Sequence, residues 1–250
     1  MTIVKHNHLE PHLFDRNEKL KTPVRDMLLK IANCYIDYIR DHKGYEIQSE
    51  DIKDIFIYGS STNYFYNKKS DIDMCIVFDL SKMTNNNPNI NVPQNLKMLY
   101  YDWECLYHCI IYGRKIDISF EDEQKKNRYE ADKTARWRSG AAYSLINDDW
   151  IYRPVCVSNT EFRKIKQEAR KIYNQIMHDY KRVKRNGFQL DEIQELYKDI
   201  YESKNTSHFM NVAQPITPMY IAFRWIRNKG IITKLRAEAV KRTSEPYVLK

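Results

Sequence analysis

Three aspartates in the first half of the chain have the types and spacing of a divalent-metal site. Asp71 and Asp73 open a predicted strand, and residues i and i+2 of a strand point to one face, about 6.5–7 Å apart. Asp117 lies inside a later predicted strand and would add a third carboxylate. Such an anionic pocket needs cations, and Mg²⁺ prefers oxygen ligands. Two Mg²⁺ ions about 3.5–4 Å apart, with Mn²⁺ as a substitute, suit phosphoryl or nucleotidyl transfer.

A Gly-Ser pair ends the strand that precedes the first two aspartates. Gly59 would let the backbone approach a phosphate closely. Ser60 adds a hydroxyl and a backbone N–H where the following turn or helix begins, and such a terminus binds anions. We therefore expect Gly59 and Ser60 to hold the triphosphate of an NTP, with Mg²⁺ linking it to Asp71 and Asp73.

The segment between the Gly-Ser pair and Asp71 contains further polar residues with two interpretations each. Lys68 and Lys69 could contact a phosphate, but loop lysines are more often solvated, and we favour that interpretation. Asn63, Tyr64 and Tyr66 could shape a nucleotide site, although turn chemistry explains them nearly as well.

Two groups of potential metal ligands do not have the pattern of a metal site. His6, His8 and His12 are irregularly spaced in a terminus that we expect to be frayed. Cys105 and Cys109 lack the further paired ligands that zinc requires, so we interpret them as small core residues.

The elements that must position the aspartates follow from the hydrophobic pattern. Apolar residues every three or four positions predict helices, and short apolar or alternating runs predict strands. The Asn- and Pro-rich segment Ser81–Gln94 predicts a mobile loop. Near residues 156–160 the pattern becomes wholly helical, so we expect an α+β fold: a short mixed sheet with flanking helices, then an α-helical domain. The predicted helices cover 22–41, 96–107, 162–183, 190–201, 218–227 and 233–241, and the predicted strands cover 55–58, 71–78, 115–120, 141–145 and 150–153.

The basic charge of the chain is concentrated in its C-terminal part. The 250 residues carry a formal net charge of +8, and residues 151–250 contain 20 Lys and Arg against 10 Asp and Glu. A basic domain attracts nucleotides or nucleic acid and would repel polycationic acceptors such as aminoglycosides. A helix dipole alone also favours cations at a helix C-terminus. The candidate RNA contacts are Lys181, Arg182, Lys184, Arg185, Arg136, Arg138, Arg224, Arg227 and Lys229, with Trp225 as a stacking surface or, the interpretation we favour, a core residue.

Composition excludes several classes of protein. Hydrophobic residues make up 42% and charged residues 30%, which argues against a disordered chain. No apolar run approaches the roughly 20 residues of a membrane span, and the N-terminus lacks the apolar core of a signal peptide. Five scattered cysteines indicate reduced thiols. We therefore expect a cytoplasmic protein with no membrane partner.

The motifs resemble those of the DNA polymerase β-type nucleotidyltransferase superfamily. The match rests on Tyr58-Gly-Ser-Ser-Thr-Asn-Tyr-Phe-Tyr-Asn67, on Ser70-Asp-Ile-Asp-Met-Cys-Ile-Val77 and on the later strand acid Asp117. With Tyr143-Ser-Leu-Ile-Asn147 before Trp150, the region more loosely resembles nucleotidyltransferases of large tailed bacteriophages, for which the location would be the host cytoplasm.

The resemblance assigns a role to each candidate residue. It implies that Asp71 and Asp73 bind both metal ions, and that Asp117 binds the catalytic metal and helps to activate the acceptor hydroxyl. Gly59 and Ser60 would hold the phosphates of the incoming nucleotide. The implied catalytic domain covers residues 1–157, and nothing carries over to the basic helical domain at 158–250.

These observations lead to an expected function with open alternatives. We expect a Mg²⁺-dependent enzyme that moves a nucleoside monophosphate from an NTP such as ATP to the hydroxyl of an anionic acceptor, an RNA end or a nucleotide, and releases pyrophosphate. The alternatives are nucleotidylation of a small molecule or a protein, cyclic-oligonucleotide synthesis, a non-catalytic nucleotide- or nucleic-acid-binding module, and an interaction protein that docks through its helical tail. Neither the NTP nor the oligomeric state follows from the sequence.

Overall fold

The computed structural model describes residues 3–67, 70–85, 92–124, 141–210 and 216–244. The described residues form two compact units, one within Val4–Cys156 and one within Val157–Lys250. The first contains a six-stranded sheet and two long helices, and the second is helical, so the predicted α+β class is confirmed. In the described part of the chain, no helix is long and apolar enough to cross a membrane.

Helix α1 (Thr22–Lys43) covers one side of the sheet with helix α2 (Val92–Leu106). A proline in its first turn suits the start of α1, because the missing N–H has no intrahelical partner there. The helix ends at Gly44, whose φ of 68° is left-handed and whose N–H bonds to the carbonyl of Ile39. The predicted first helix is therefore confirmed, two residues longer than expected.

The large sheet has the strand order β5-β6-β3-β2-β7-β8. Strands β3 and β6 are parallel, and every other pair in this sheet is antiparallel. A separate two-stranded sheet pairs β1 with β4. The strands are β1 Tyr45–Glu46, β2 Ile52–Tyr58, β3 Ile72–Phe78, β4 Thr84–Asn85, β5 Ile110–Ile111, β6 Arg114–Asp122, β7 Ala142–Ser144 and β8 Asp149–Tyr152.

The two faces of the large sheet have different roles. Alternate residues of β3, such as Ile72 and Met74, belong to the main core with α1 and α2. The intervening residues Cys75 and Val77 belong to a smaller cluster with Phe56. Because side chains alternate along a strand, Asp73 shares this second face with Cys75 and Val77. The carboxylate of Asp73 is thus directed away from the main core.

The predicted loop over Ser81–Gln94 is too long at both ends. Thr84–Asn85 pairs with Tyr45–Glu46 through backbone hydrogen bonds, and α2 begins at Val92 rather than Leu96. Proline at position 93 makes the start of α2 resemble a loop in the sequence, although a proline fits the first turn of a helix.

The second unit contains four described helices: α3 Asn159–Arg185, α4 Leu190–Met210, α5 Pro218–Asn228 and α6 Ile231–Ser244. The Ser158 hydroxyl accepts a hydrogen bond from the N–H of Glu161 at 3.1 Å and caps α3. The apolar faces of the four helices enclose one core, which includes Val183, Ile226 and Leu235. The predicted helices of this unit are confirmed.

Candidate functional site

Two of the three predicted carboxylates lie side by side on neighbouring strands. Asp73 on β3 and Asp117 on β6 are partners in the parallel register, and adjacent strands are about 4.8 Å apart. Asp71 is exposed immediately before β3, two residues from Asp73. Asp71 and Asp117 both contribute to the raised pKa of Lys115, whose largest cause is its hydrogen bond with Glu104. Both carboxylates therefore act on the same ammonium group.

Gly59 brings the backbone against the carboxylate of Asp73. Strand β2 ends at Tyr58, the antiparallel partner of Asp73, and the next residue has a φ of +82°. A Cβ at position 59 would lie 2.0 Å from Oδ2 of Asp73. Both the left-handed backbone and the close approach require glycine here. The Gly-Ser turn and the aspartates therefore form one continuous surface.

Ser60 lies in a short 3₁₀ turn, Gly59–Thr62, that its neighbours hold in place. The Thr62 hydroxyl donates to the carbonyls of Gly59 and Ala141, each at 3.0 Å, and the Asn63 amide donates to the Gly59 carbonyl at 2.9 Å. No hydrogen-bond partner for the half-buried Ser60 hydroxyl exists within the described residues. The turn is thus stabilised by residues other than its serine. Asn63 acts on the turn itself, as turn chemistry predicts.

Groups that the sequence did not single out surround the carboxylates. The hydroxyls of Tyr58 and Ser119 are 3.1 Å apart, so β2 and β6 are connected across β3. Tyr100 on α2 donates to the carbonyl of Ile116 at 3.3 Å. Burial raises the pKa of Tyr100, and the nearby charge of Asp117 raises it further. Tyr100 therefore stays protonated and can donate hydrogen bonds beside Asp117.

A buried ion pair connects the starts of the two strands that carry the aspartates. Arg114 opens β6 and donates to the carbonyls of Asn67 and Ser70, at 2.7 Å and 2.8 Å, just before Asp71. The same guanidinium pairs with Glu10, and both side chains are 4% exposed. Sequence reasoning missed this pair because its partners are 104 residues apart and no local pattern connects them.

The N-terminal segment is packed, so the expectation of a frayed terminus is wrong. The N–H of His6 donates to the carbonyl of Tyr64 at 2.8 Å, and the His6 ring stacks on Tyr66 with centroids 3.9 Å apart. His12 contacts Glu10 at 2.8 Å. Tyr64 is itself buried and bonded to Glu18. Tyr64 and Tyr66 therefore hold in place the segment of the chain that precedes helix α1.

The interpretation of Cys105 and Cys109 as core residues is half correct. Cys109 is partly buried against the main core, and its burial raises the pKa of the thiol. Cys105 is exposed, because α2 ends one residue later and this face turns to solvent.

Most of the basic candidates in the helical unit lie on its surface, including Arg227 and Lys229, whereas Arg224 is half-buried over the ring of Tyr220. Lys181, Arg182, Lys184 and Arg185 are exposed in the last turns of α3. Trp225 is half-buried and packs edge-on against Tyr173, with centroids 5.8 Å apart. Lys68, Lys69, Arg136 and Arg138 lie outside the described residues.

The donor chemistry of the site fits a hard divalent cation. Within the described ranges, no three or more His, Cys, Asp or Glu side chains are gathered closely enough to hold an ion as they stand. Asp71 and Asp117 are nevertheless exposed beside Asp73, and the absence of a Cβ at Gly59 leaves room for the Asp73 carboxylate against the backbone. Carboxylate oxygens are the ligands that Mg²⁺ prefers. These three aspartates would therefore hold the ions if a substrate supplied the remaining oxygen ligands.

Comparison with known proteins assigns the region that contains this geometry. The family model described as "Poly(A) RNA polymerase, mitochondrial-like, central palm domain" matches residues 4–135, just over half of the chain. The matched range includes the Gly-Ser turn and all three aspartates. No curated protein matches the chain. The chain belongs to the mitochondrial-like poly(A) RNA polymerase central palm domain family, a family of the nucleotidyltransferase type.

Proposed function

We propose that the protein transfers a nucleoside monophosphate from an NTP to the hydroxyl at an RNA end and releases pyrophosphate, with Mg²⁺ as its cofactor. The observation that carries this proposal is the register of Asp73 beside Asp117, with Gly59 against the Asp73 carboxylate. Membership of a poly(A) polymerase-type family supports the same reaction class.

The chain's own residues have separate roles in the proposed reaction. Asp71 and Asp73 would hold two divalent ions, which supply positive charge to the phosphates when bound. Gly59 and Ser60 would receive the triphosphate, where the backbone without a Cβ lies against the Asp73 carboxylate and Ser60 adds a hydroxyl and an N–H. The rigid turn limits movement of the bound nucleotide, and such positioning supplies most of the catalysis in phosphoryl transfer.

Asp117 would act on the acceptor. Its exposed carboxylate accepts a hydrogen bond from the acceptor hydroxyl and takes its proton, which then passes to water. The hydroxyl oxygen forms a bond to the α-phosphorus, and the bond from that phosphorus to the bridging oxygen breaks. Pyrophosphate leaves with the bonding electrons. Tyr100 stays protonated beside Asp117 and adds no negative charge there.

The basic helical unit supports an anionic acceptor. Residues 151–250 carry twice as many Lys and Arg as Asp and Glu, and the end of α3 presents four exposed cations. Phosphate contacts of this kind make RNA binding strongly dependent on salt. We therefore choose RNA over a polycationic small molecule as the acceptor.

Transfer of label from α-³²P-NTPs to a short RNA, with pyrophosphate release measured in parallel, tests the proposal. Wild type should label the RNA in Mg²⁺ or Mn²⁺, and Asp73→Asn should reduce the rate at least about 100-fold. Asp26→Asn is the matched control, because Asp26 is an exposed aspartate on α1 away from the site. Equal rates for wild type and Asp73→Asn would refute the enzymatic proposal, and nucleotide binding without pyrophosphate release would identify a binding module instead.

A further inference from the structure

A cavity lies near the start of β6, where the buried side of that strand faces away from Asp117. Its volume is about 760 Å³, and its lining includes Asn67 and Arg114. Arg114 is buried and Asp117 is exposed, as expected for residues an odd number of positions apart on one strand. The proposed transfer reaction makes no use of this cavity.

The walls of the cavity are preformed. The N-terminal segment is hydrogen-bonded to the segment after the Gly-Ser turn through His6 and Tyr64. The ring of His8 accepts or donates a hydrogen bond with the Tyr66 hydroxyl at 3.1 Å. The buried Glu10–Arg114 pair forms part of the lining. A ligand would therefore enter a cavity whose framework is already ordered, which lowers the entropic cost of binding.

Tyr112 is held at this cavity in a strained conformation. The turn between β5 and β6 is Tyr112-Gly113, with φ values of +48° and +73°, the signs of a type I′ turn. That turn favours asparagine at its first position, and a bulky residue with positive φ is an outlier. The ring is 57% exposed, and its centroid lies 5.7 Å from that of His12. The turn thus keeps an exposed aromatic ring in the lining where asparagine would be more stable.

The chemistry of the lining favours a planar heterocycle. The lining is rich in aromatic and imidazole rings. His6 and Tyr66 stack on each other and the Tyr66 hydroxyl bonds the His8 ring, whereas the exposed ring of Tyr112 offers a face for stacking. The charge of Glu10 is balanced by Arg114, so this pair adds no net negative charge that would repel a nucleotide. Nucleobases unstacked from a single strand are recognised by such aromatic and histidine side chains.

We propose that this cavity binds a nucleobase, with Tyr112 as a stacking partner. The base comes either from an RNA strand or from a free nucleotide. The proposal goes beyond the proposed function, because it concerns binding at a separate cavity and needs neither metal nor transfer.

Equilibrium binding without NTP or divalent metal tests it. The probes are RNA hexamers of adenylate and of uridylate, free AMP and UMP, and a hexamer of abasic ribose phosphates. Tyr112→Ala should weaken binding of the base-containing probe about 10-fold, the usual effect of losing one base–aromatic stack, and should leave the abasic hexamer unchanged. Tyr101→Ala is the matched control, because Tyr101 is 55% exposed on α2. If Tyr112→Ala weakens binding of the hexamers alone, the base comes from an RNA strand. If it weakens binding of the mononucleotides as well, the base comes from a free nucleotide.

A second variant separates loss of the ring from damage to the turn. Tyr112→Asn should unfold at the same or a higher urea concentration than wild type, because asparagine suits the type I′ turn, yet should bind as weakly as Tyr112→Ala. Unchanged affinity in both variants, equal loss with the abasic hexamer, or no preference of wild type for probes with bases would overturn the proposal. The transfer activity of Asp73→Asn is measured in a separate assay. The binding result can therefore be interpreted even if the proposed transfer reaction is refuted.

Discussion

The two units of the molecule differ in whether their charged groups are buried or exposed. In the part of the chain that the structure describes, every buried charged residue lies in the α/β unit. Among the described residues of the helical unit, the buried polar residue is Thr217, and most of the cations are exposed. Buried polar groups demand specific partners, whereas an apolar core accepts many arrangements of similar volume. The contrast teaches that specific polar pairing helps to define the geometry of the α/β unit as a whole, while the helical unit presents charge on a framework that accepts more substitutions. The buried charged residues are Glu10, Asp51, Asp54, Asp79 and Arg114.

The largest effect should come from breaking the buried pair. Arg114→Met leaves the buried Glu10 carboxylate in contact with His12 but without its guanidinium partner and should lower the free energy of unfolding by about 3–5 kcal/mol. Arg236→Met in the helical unit removes an exposed arginine that bonds the hydroxyls of Tyr197 and Tyr201 and should lower the free energy of unfolding far less. Urea unfolding followed by circular dichroism measures both. Similar losses in the two variants would contradict the contrast between the units.

Two glycines with nearly the same φ allow the effect of a steric collision to be separated from the effect of backbone strain. Gly59 and Gly230 have φ of +82° and +72°, but only the added Cβ at Gly59 would collide, with the Asp73 carboxylate. Gly59→Ala must displace that carboxylate and should reduce nucleotidyl transfer about 100-fold. Gly230→Ala, with nothing within 4 Å of its Cβ, should cost about 1–2 kcal/mol of stability and leave transfer intact. The contrast fails if both variants transfer at the same rate once folded.

A smaller effect should follow from removing the basic end of α3. Replacing Lys181, Arg182, Lys184 and Arg185 together by Gln should weaken RNA binding about 10-fold at fixed salt. The slope of log K against log salt should become shallower by about 0.7 for each RNA phosphate that the variant no longer neutralises. Lys30→Gln on α1 is the control in the α/β unit. An unchanged slope would show that these cations only complement the helix dipole.

The smallest effect should be a pH dependence at the β7–β8 turn. Hydrogen bonding with Lys19 lowers the pKa of Asp148 below its ordinary value of 3.8. The ionised carboxylate therefore stabilises the fold above pH 3.8, and this contribution is lost as pH falls through the lower folded-state value. Because the group is partly exposed, the effect should be under about 1 kcal/mol. Asp148→Asn, which also tolerates the positive φ of 51° there, should remove that part of the acid sensitivity in urea titrations from about pH 5 to about pH 2.5. An identical pH profile for the variant would contradict the assignment.

Much of the secondary structure was predictable because it is encoded by neighbouring residues. The apolar spacing of α1, the capping serine before α3 and the alternation in β6 are all read over a few consecutive positions. The spacing of Asp71 and Asp73 likewise predicts a shared face without knowledge of any partner strand. The start of α2 was missed because asparagines and prolines precede it and resemble a loop.

By itself the sequence determined the α+β class, most helices and strands, and the presence of Asp71 and Asp73 after a Gly-Ser pair, with a third acid in a later strand. Only the tertiary structure decided that Asp117 is the register partner of Asp73, that Arg114 holds the carbonyls before Asp71, and that the N-terminal segment packs against Tyr66. The physical reason is the distance along the chain over which each effect acts. Periodicity acts over one or two turns of chain, whereas register and buried pairing depend on the simultaneous burial of segments many residues apart, and a one-residue shift would reverse every side chain of a strand.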